Sequence, residues 1–199
     1  MSVTPGFTVD PEHDWHDAAY VDKWIARDVT REERPAVLGG MIELAPFPHD
    51  AAITVLDVGG GNGLVTAAVL AVFPNAKVTV QDYSAPMLER AKERFASYGD
   101  QLSYALSDLF DPAWPSTTFG PYDMVVSSIA IHNLGTIEAM VATYKAIYDL
   151  LKPGGVFLDC DHFGNVGGVG MHVEAMTKLG FSKAVCVNEA KPAIVTATK

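Results

Sequence analysis

Two groups of residues in this sequence could do chemistry. The first is Asp57-x-Gly59-x-Gly61-x-Gly63, set directly behind the apolar run Ile53-Thr54-Val55-Leu56. Glycine admits positive φ, and its missing Cβ lets a ligand lie against the main chain. A helix opening behind such a turn offers free amides and a positive dipole end to an electron-rich group. The pattern predicts a site for a nucleotide-like ligand. The second group is His132, Asp161 and His162. An imidazole or carboxylate beside a hydroxyl or amine can take up its proton, so these are candidate general bases.

Such residues need a scaffold that brings strand ends together. From Val55 onward, apolar runs alternate with helix-forming segments, the pattern of a doubly wound sheet with helices on both faces. Ligands of open α/β sheets bind beyond the carboxyl ends of the strands. Lys77–Asp82 reads as a strand ending in an acid, and Asp82 could accept from both ribose hydroxyls of an adenosine. A third strand, 104–110, ends near Asp108, and a fourth, from Tyr122, runs into Ser127-Ser128 ahead of His132. Helices are predicted over 63–73, 86–98, 136–151 and roughly 168–180. The tail, 184–187 and 193–198 about the turn 188–192, reads as a hairpin.

A dinucleotide fingerprint would put glycine or alanine where Leu64 or Thr66 stands, so that spacing is not met. The spacing present resembles the first motif of class I S-adenosylmethionine-dependent methyltransferases. The remaining motifs follow in order across residues 53–161: Asp82-Tyr83-Ser84-Ala85-Pro86-Met87, then Ser107-Asp108-Leu109, then Val126-Ser127-Ser128-Ile129-Ala130-Ile131-His132, then Leu151-Lys152-Pro153-Gly154-Gly155. The resemblance implies an α/β fold, doubly wound, with a mostly parallel seven-stranded sheet, an antiparallel last strand and preceding N-terminal helices. It implies one methyltransferase domain over 1–199, with 1–50 as a helical cap and 51–199 as the Rossmann-like core. It implies S-adenosylmethionine as cofactor, held by Asp57, Gly59, Gly61, Gly63, Asp82, Tyr83, Met87, Asp108, Leu109 and Ser127. Two other readings stay open: a non-catalytic donor-binding homologue and a nicotinamide-dependent oxidoreductase.

Methyl transfer from a sulfonium is an in-line displacement, so positioning and water exclusion matter most, with a base where the acceptor must lose a proton. His132, Asp161 and His162 are the candidates, against the plain reading of histidines in a surface loop. Asp159, Asp161 and His162 could suggest a metal, but strand alternation puts His162 on the opposite face from the two acids, so no metal is expected. His13 and His16 stand among acids and read as a solvated helix face. Tyr20, Trp24 and Tyr83 could offer ring faces to a cationic donor or to adenine, while Trp114, between Pro112 and Pro115, reads as loop packing.

Composition narrows the acceptor. The net charge of −10 disfavours a phosphate backbone as partner, and Arg90, Lys92 and Arg94 with Glu89 and Glu93 read as a salt-bridged helix face rather than a basic patch. Ser127-Ser128-Ile129-Ala130 is unlike the fourth motif of base amino-methyltransferases, and neither Cys160 nor Cys186 is placed as a nucleophile for a base carbon. The connection after His162 is short, which favours a small-molecule acceptor. Buried, reduced cysteines and the lack of a secretion-like or membrane-spanning apolar run suggest a cytoplasmic protein. Before the sheet, residues 10–45 read as helical, with Thr30 to Glu33 as a capping box or, equally, a helix starting at Arg34 with Pro35 in its first turn.

Overall fold

A computed structural model describes residues 14–28 and 32–199. Two helices, α1 (Ala18–Asp28) and α2 (Arg34–Ile42), precede the sheet. The alternating part then runs β1 (Thr54–Val58), α3 (Leu64–Val72), β2 (Lys77–Asp82), α4 (Ala85–Arg94), β3 (Leu102–Leu106), β4 (Tyr122–Ser128), α5 (Ile137–Leu150), β5 (Leu151–Asp161), α6 (Val169–Lys178), β6 (Ser182–Asn188) and β7 (Ala193–Thr198). The seven strands lie in the order β3-β2-β1-β4-β5-β7-β6. β1 to β5 are parallel, while β7 lies antiparallel between β5 and β6. The expected topology is what the chain forms.

Strand alternation divides the core in two. Val55, Val80, Val126 and Leu158 face α2, α3 and α4, where Leu38, Val69 and Phe73 pack on them. Leu56, Val125 and Phe157 face α5 and α6, against Tyr144, Ile147 and Met176. Side chains of this kind contribute about 1.5–3 kcal/mol each when fully buried. The direction change falls between β1 and β4, so the loops after β1, β2, β4 and β5 share one end of the sheet. Trp114 is buried in the α5 side, as loop packing. No helix among the described residues is long and apolar enough to cross a membrane.

Several boundaries differ from expectation for visible reasons. α4 stops at Arg94 instead of reaching 98, because Phe95 turns in beneath the first loop, where a Cβ on Gly63 would meet its ring at 2.3 Å. β3 ends at Leu106, after which the Ser107 amide donates to the Asp82 carbonyl and Asp108 closes its own turn on the Phe110 amide. α2 begins at Arg34 with Pro35 in the first turn. Thr30 lies outside the described residues, as does His13; His16 stands ahead of α1, with its ring edge-on to Tyr83 at 5.3 Å. Around Arg90 the helix face is salt-bridged as read, Arg90 also reaching Asp22 of α1.

Candidate active site

The glycine loop is shaped by close approach. Gly59 has φ 62°, and a Cβ there would stand 2.4 Å from Ala130 Cβ, so the loops after β1 and β4 touch. Gly61 has φ 55°, but a Cβ would meet only Met87 Sδ at 3.7 Å; backbone conformation alone demands glycine there. The loop amides are not free. Gly59 N donates to Gln81 Oε1, Gly60 N to the Gln81 carbonyl, Gly61 N to Asp82 Oδ2 and Gly63 N to the Gly60 carbonyl. The expectation of free amides facing an electron-rich group is therefore corrected at these positions: β2 has taken the first three and the loop itself the fourth.

Asp57 completes that correction. Its Oδ2 accepts from the Thr66 amide at 3.0 Å and the Thr66 hydroxyl at 2.7 Å, capping α3 from the end of β1 where Gly63 at the N-cap has no side chain to do so. The carboxylate thus answers the positive end of the helix dipole. Its Oδ1 is buried with no hydrogen-bond partner among the described residues. Burial pushes the Asp57 pKa up to about 7, opposed by the Thr66 bonds. An orphaned buried acceptor beside an open glycine backbone suits a cationic group, such as the ammonium of a methionine moiety.

Beyond β2, the Asp82 carboxylate accepts from Gly61 N at 2.9 Å and Ser84 N at 2.8 Å, which pins the first loop to the second. Two further lone pairs remain for other donors, and burial raises its pKa. Tyr83 beside it is half-exposed, and burial together with the charges of Asp82 and Asp108 raises its phenol pKa. Asp108 is exposed and Leu109 half-buried on the next loop, so these three residues frame one rim. Met87 is buried under Gly61. Ser127 stands deeper than its expected role requires: it is fully buried, and its hydroxyl donates to the Val58 carbonyl. Ser128, Ile129 and Ala130 form the mouth of β4 in its place.

On the other side of that mouth, His132 and Asp161 meet as the sequence spacing alone could not show. His132 sits in a short 3₁₀ turn, Ile131–Leu134. Asp161 Oδ2 accepts from the His132 amide at 3.0 Å, and Oδ1 contacts His132 Nδ1 at 2.5 Å and accepts from the His162 amide at 2.7 Å. A carboxylate at Nδ1 holds the N–H there and leaves the lone pair on Nε2. Asp161 is 2% exposed, and its carboxylate is committed three times. The His162 ring lies edge-on to His132 at 5.3 Å. Two residues earlier on the same face, Asp159 is fully buried with both oxygens unpartnered among the described residues. Burial, then the Asp161 charge, push its pKa far up and favour its neutral form. Among the described residues no cluster of three or more His, Cys, Asp or Glu could hold a metal ion.

Three contributors were not singled out from sequence. Gln81 ties the first loop to the third, accepting from Gly59 N and donating to the Ser107 carbonyl; a long amide side chain at the buried end of β2 is its signal. Ser84 caps α4 through Met87 N and donates to the Trp15 carbonyl, fastening the N-terminal segment to the site. Third, α2, the mouth of β4, Cys160 and the β6–β7 turn line an open cavity of ≈ 130 Å³. Nothing local in the sequence connects residues so far apart.

A nucleotide-type loop, two acids on successive strand ends and an antiparallel seventh strand define a Rossmann-like transferase architecture. Residues 56–157 match the family model described as a methyltransferase domain, just over half of the chain. The chain belongs to that methyltransferase-domain family. Over 86 residues it is 40% identical to a malonyl-[acyl-carrier protein] O-methyltransferase of Neorickettsia risticii, covering 43% of this chain and 31% of the relative. Over 114 residues it is 32% identical to the hybrid PKS-NRPS synthetase tasS of Hapsidospora irregularis, covering 56% of this chain and 3% of that protein. The chain thus spans less than a third of either relative. An O-methyltransferase family protein from Burkholderia thailandensis superposes with a TM-score of 0.74 at 16% identity, covering 92% of this chain and 60% of that one. Human N-acetylserotonin methyltransferase in complex with SAM gives 0.65 at 18% identity, with 93% and 57% covered. At these identities the solved structures bear on fold alone.

Proposed function

We propose that this methyltransferase acts on a small-molecule acceptor, with His132 as general base and Asp161 as the residue that positions it. The single observation that carries this reading is the His132–Asp161 pair, fixed by three hydrogen bonds at the adjoining ends of β4 and β5. The bound donor supplies an electrophilic methyl group on a positive sulfur. Asp57 would face its ammonium group, Asp82 its ribose hydroxyls, and Tyr83, Asp108 and Leu109 its adenine, with Gly59, Gly61, Gly63 and Met87 shaping the floor. Nε2 of His132 would accept the proton of a hydroxyl or amine acceptor as the methyl group transfers. Asp161 then stabilises the imidazolium that results.

The net charge of −10 supports a small molecule over nucleic acid, and two free cysteines support a reducing compartment such as the cytoplasm. A single domain, with residues 1–50 capping a core of 51–199, is the organisation that suits this chemistry. The test is turnover with labelled S-adenosylmethionine across a panel of small phenols, amines and carboxylic acids, reading S-adenosylhomocysteine formed. Turnover above background with a hydroxyl or amine acceptor, lost in His132→Ala, is the expected result. Donor binding without turnover on any acceptor would instead support the non-catalytic homologue.

A further inference from the structure

The cavity between α2 and the strand mouths has a chemistry of its own. Its floor is apolar, made by Val37, Leu38, Ile129 and Pro192. At its edge stands Arg34, whose side chain is only 12% exposed. Arg34 pairs through one terminal nitrogen with Asp28, and its guanidinium lies over the Trp24 ring at 5.9 Å. Its Nε–H is buried with no partner among the described residues. A buried donor left unsatisfied is unfavourable, and an anionic oxygen is its best partner. Lys191, exposed on the β6–β7 turn, adds a second cation to the same lining, where Glu33 is the one acid among the described residues and Asp28 already partners Arg34.

A second observation ties the cavity to the reaction. Ile129 holds φ 51°, a left-handed conformation that a β-branched residue adopts only under constraint. The same turn carries Ala130, whose Cβ closes on Gly59. Ile129 thus lines the cavity while its neighbour touches the donor loop. We propose that this cavity binds the methyl acceptor, and that the acceptor is a small apolar carboxylate whose carboxyl group is held by Arg34 and Lys191. The inference rests on the methyltransferase reading and adds the acceptor's class to it.

The experiment is equilibrium binding to the full chain saturated with S-adenosylhomocysteine, using phenylacetate and phenylacetamide as probes of equal shape. Phenylacetate should bind about tenfold or more tighter, as a charge-assisted hydrogen bond dictates. Arg34→Gln should abolish that discrimination. Because Arg34 also holds Asp28, the exposed Lys191→Glu serves as the fold-neutral variant, and it should weaken phenylacetate while leaving phenylacetamide unchanged. Equal affinities for the two probes, no binding of either, or indifference of the preference to Lys191→Glu, with S-adenosylhomocysteine still bound, overturns the inference and leaves the methyltransferase reading intact. Failure to bind S-adenosylhomocysteine strikes at that reading itself.

Discussion

Binding of the donor should release a proton from Asp57. In the free protein the carboxyl is fully buried, Oδ1 has no partner among the described residues, and burial raises the pKa to about 7. An ammonium group against Oδ1 favours the ionised form and brings the pKa back down. Below about pH 7, binding must therefore strip a proton from Asp57, and each unit below costs about tenfold in affinity. The dissociation constant for S-adenosylhomocysteine should be about tenfold weaker at about pH 6 than at about pH 8. The stability of the free protein runs the opposite way. The folded pKa lies above the unfolded one, so the free protein loses stability as pH rises from about 4 to about 7. Ligand-induced stabilisation should accordingly be larger at the upper end. Calorimetry in two buffers of different ionisation enthalpy counts the released proton directly, and Asp57→Asn should erase both the release and the pH dependence. A flat profile with no proton exchanged in the unaltered protein refutes the placement of a cation at Oδ1.

Gly61→Val should strain the loop locally through the left-handed φ while meeting only Met87 Sδ, so the sheet should still fold but calorimetric binding of S-adenosylhomocysteine should be abolished. Asp82→Ala should weaken that binding by roughly 10- to 150-fold, the equivalent of a charge-assisted hydrogen bond, and Asp108→Ala by less; unchanged dissociation constants for both would remove adenosine from the rim. His132→Ala should lower turnover by about 10²- to 10⁴-fold with donor affinity nearly unchanged. Asp161→Asn should also depress turnover while sparing donor affinity, because a neutral amide cannot enforce the same tautomer. Full turnover in either variant would take the pair out of the reaction.

Much of this was legible because strands and turns are local. The glycine loop, the acids ending β2 and following β3, and the final hairpin are written in contiguous residues, each with its own physical signature. What escaped is the pairing across the sheet. Nothing in Gly59-Gly60-Gly61 reveals that Gln81 and Asp82 consume its amides, which turns an apparent anion cradle into a surface suited to a cation. Ser127 and Ser128 look equivalent in sequence; strand phase buries the first beneath Val58 and leaves the second at the mouth. Asp161 and His132 are both readable as bases, and their contact across 29 residues is invisible in the sequence. α4 was read too long because the demand that Phe95 fill the space under Gly63 is tertiary.

The reversed seventh strand has an architectural consequence. β7 begins at Ala193, directly opposite Asp161, so the turn that precedes it, residues 189–192, arrives beside the reacting end of β5. Had β7 run parallel to β5, that turn would lie at the far end of the sheet. The reversal delivers a surface connection to the acceptor's side without passing through the donor loops, whose geometry is held by β1, β2 and β4. Length and composition of that turn can therefore drift between descendants while the donor machinery is inherited unchanged. If the acceptor sits in the proposed cavity, a change of acceptor need only rewrite a hairpin tip.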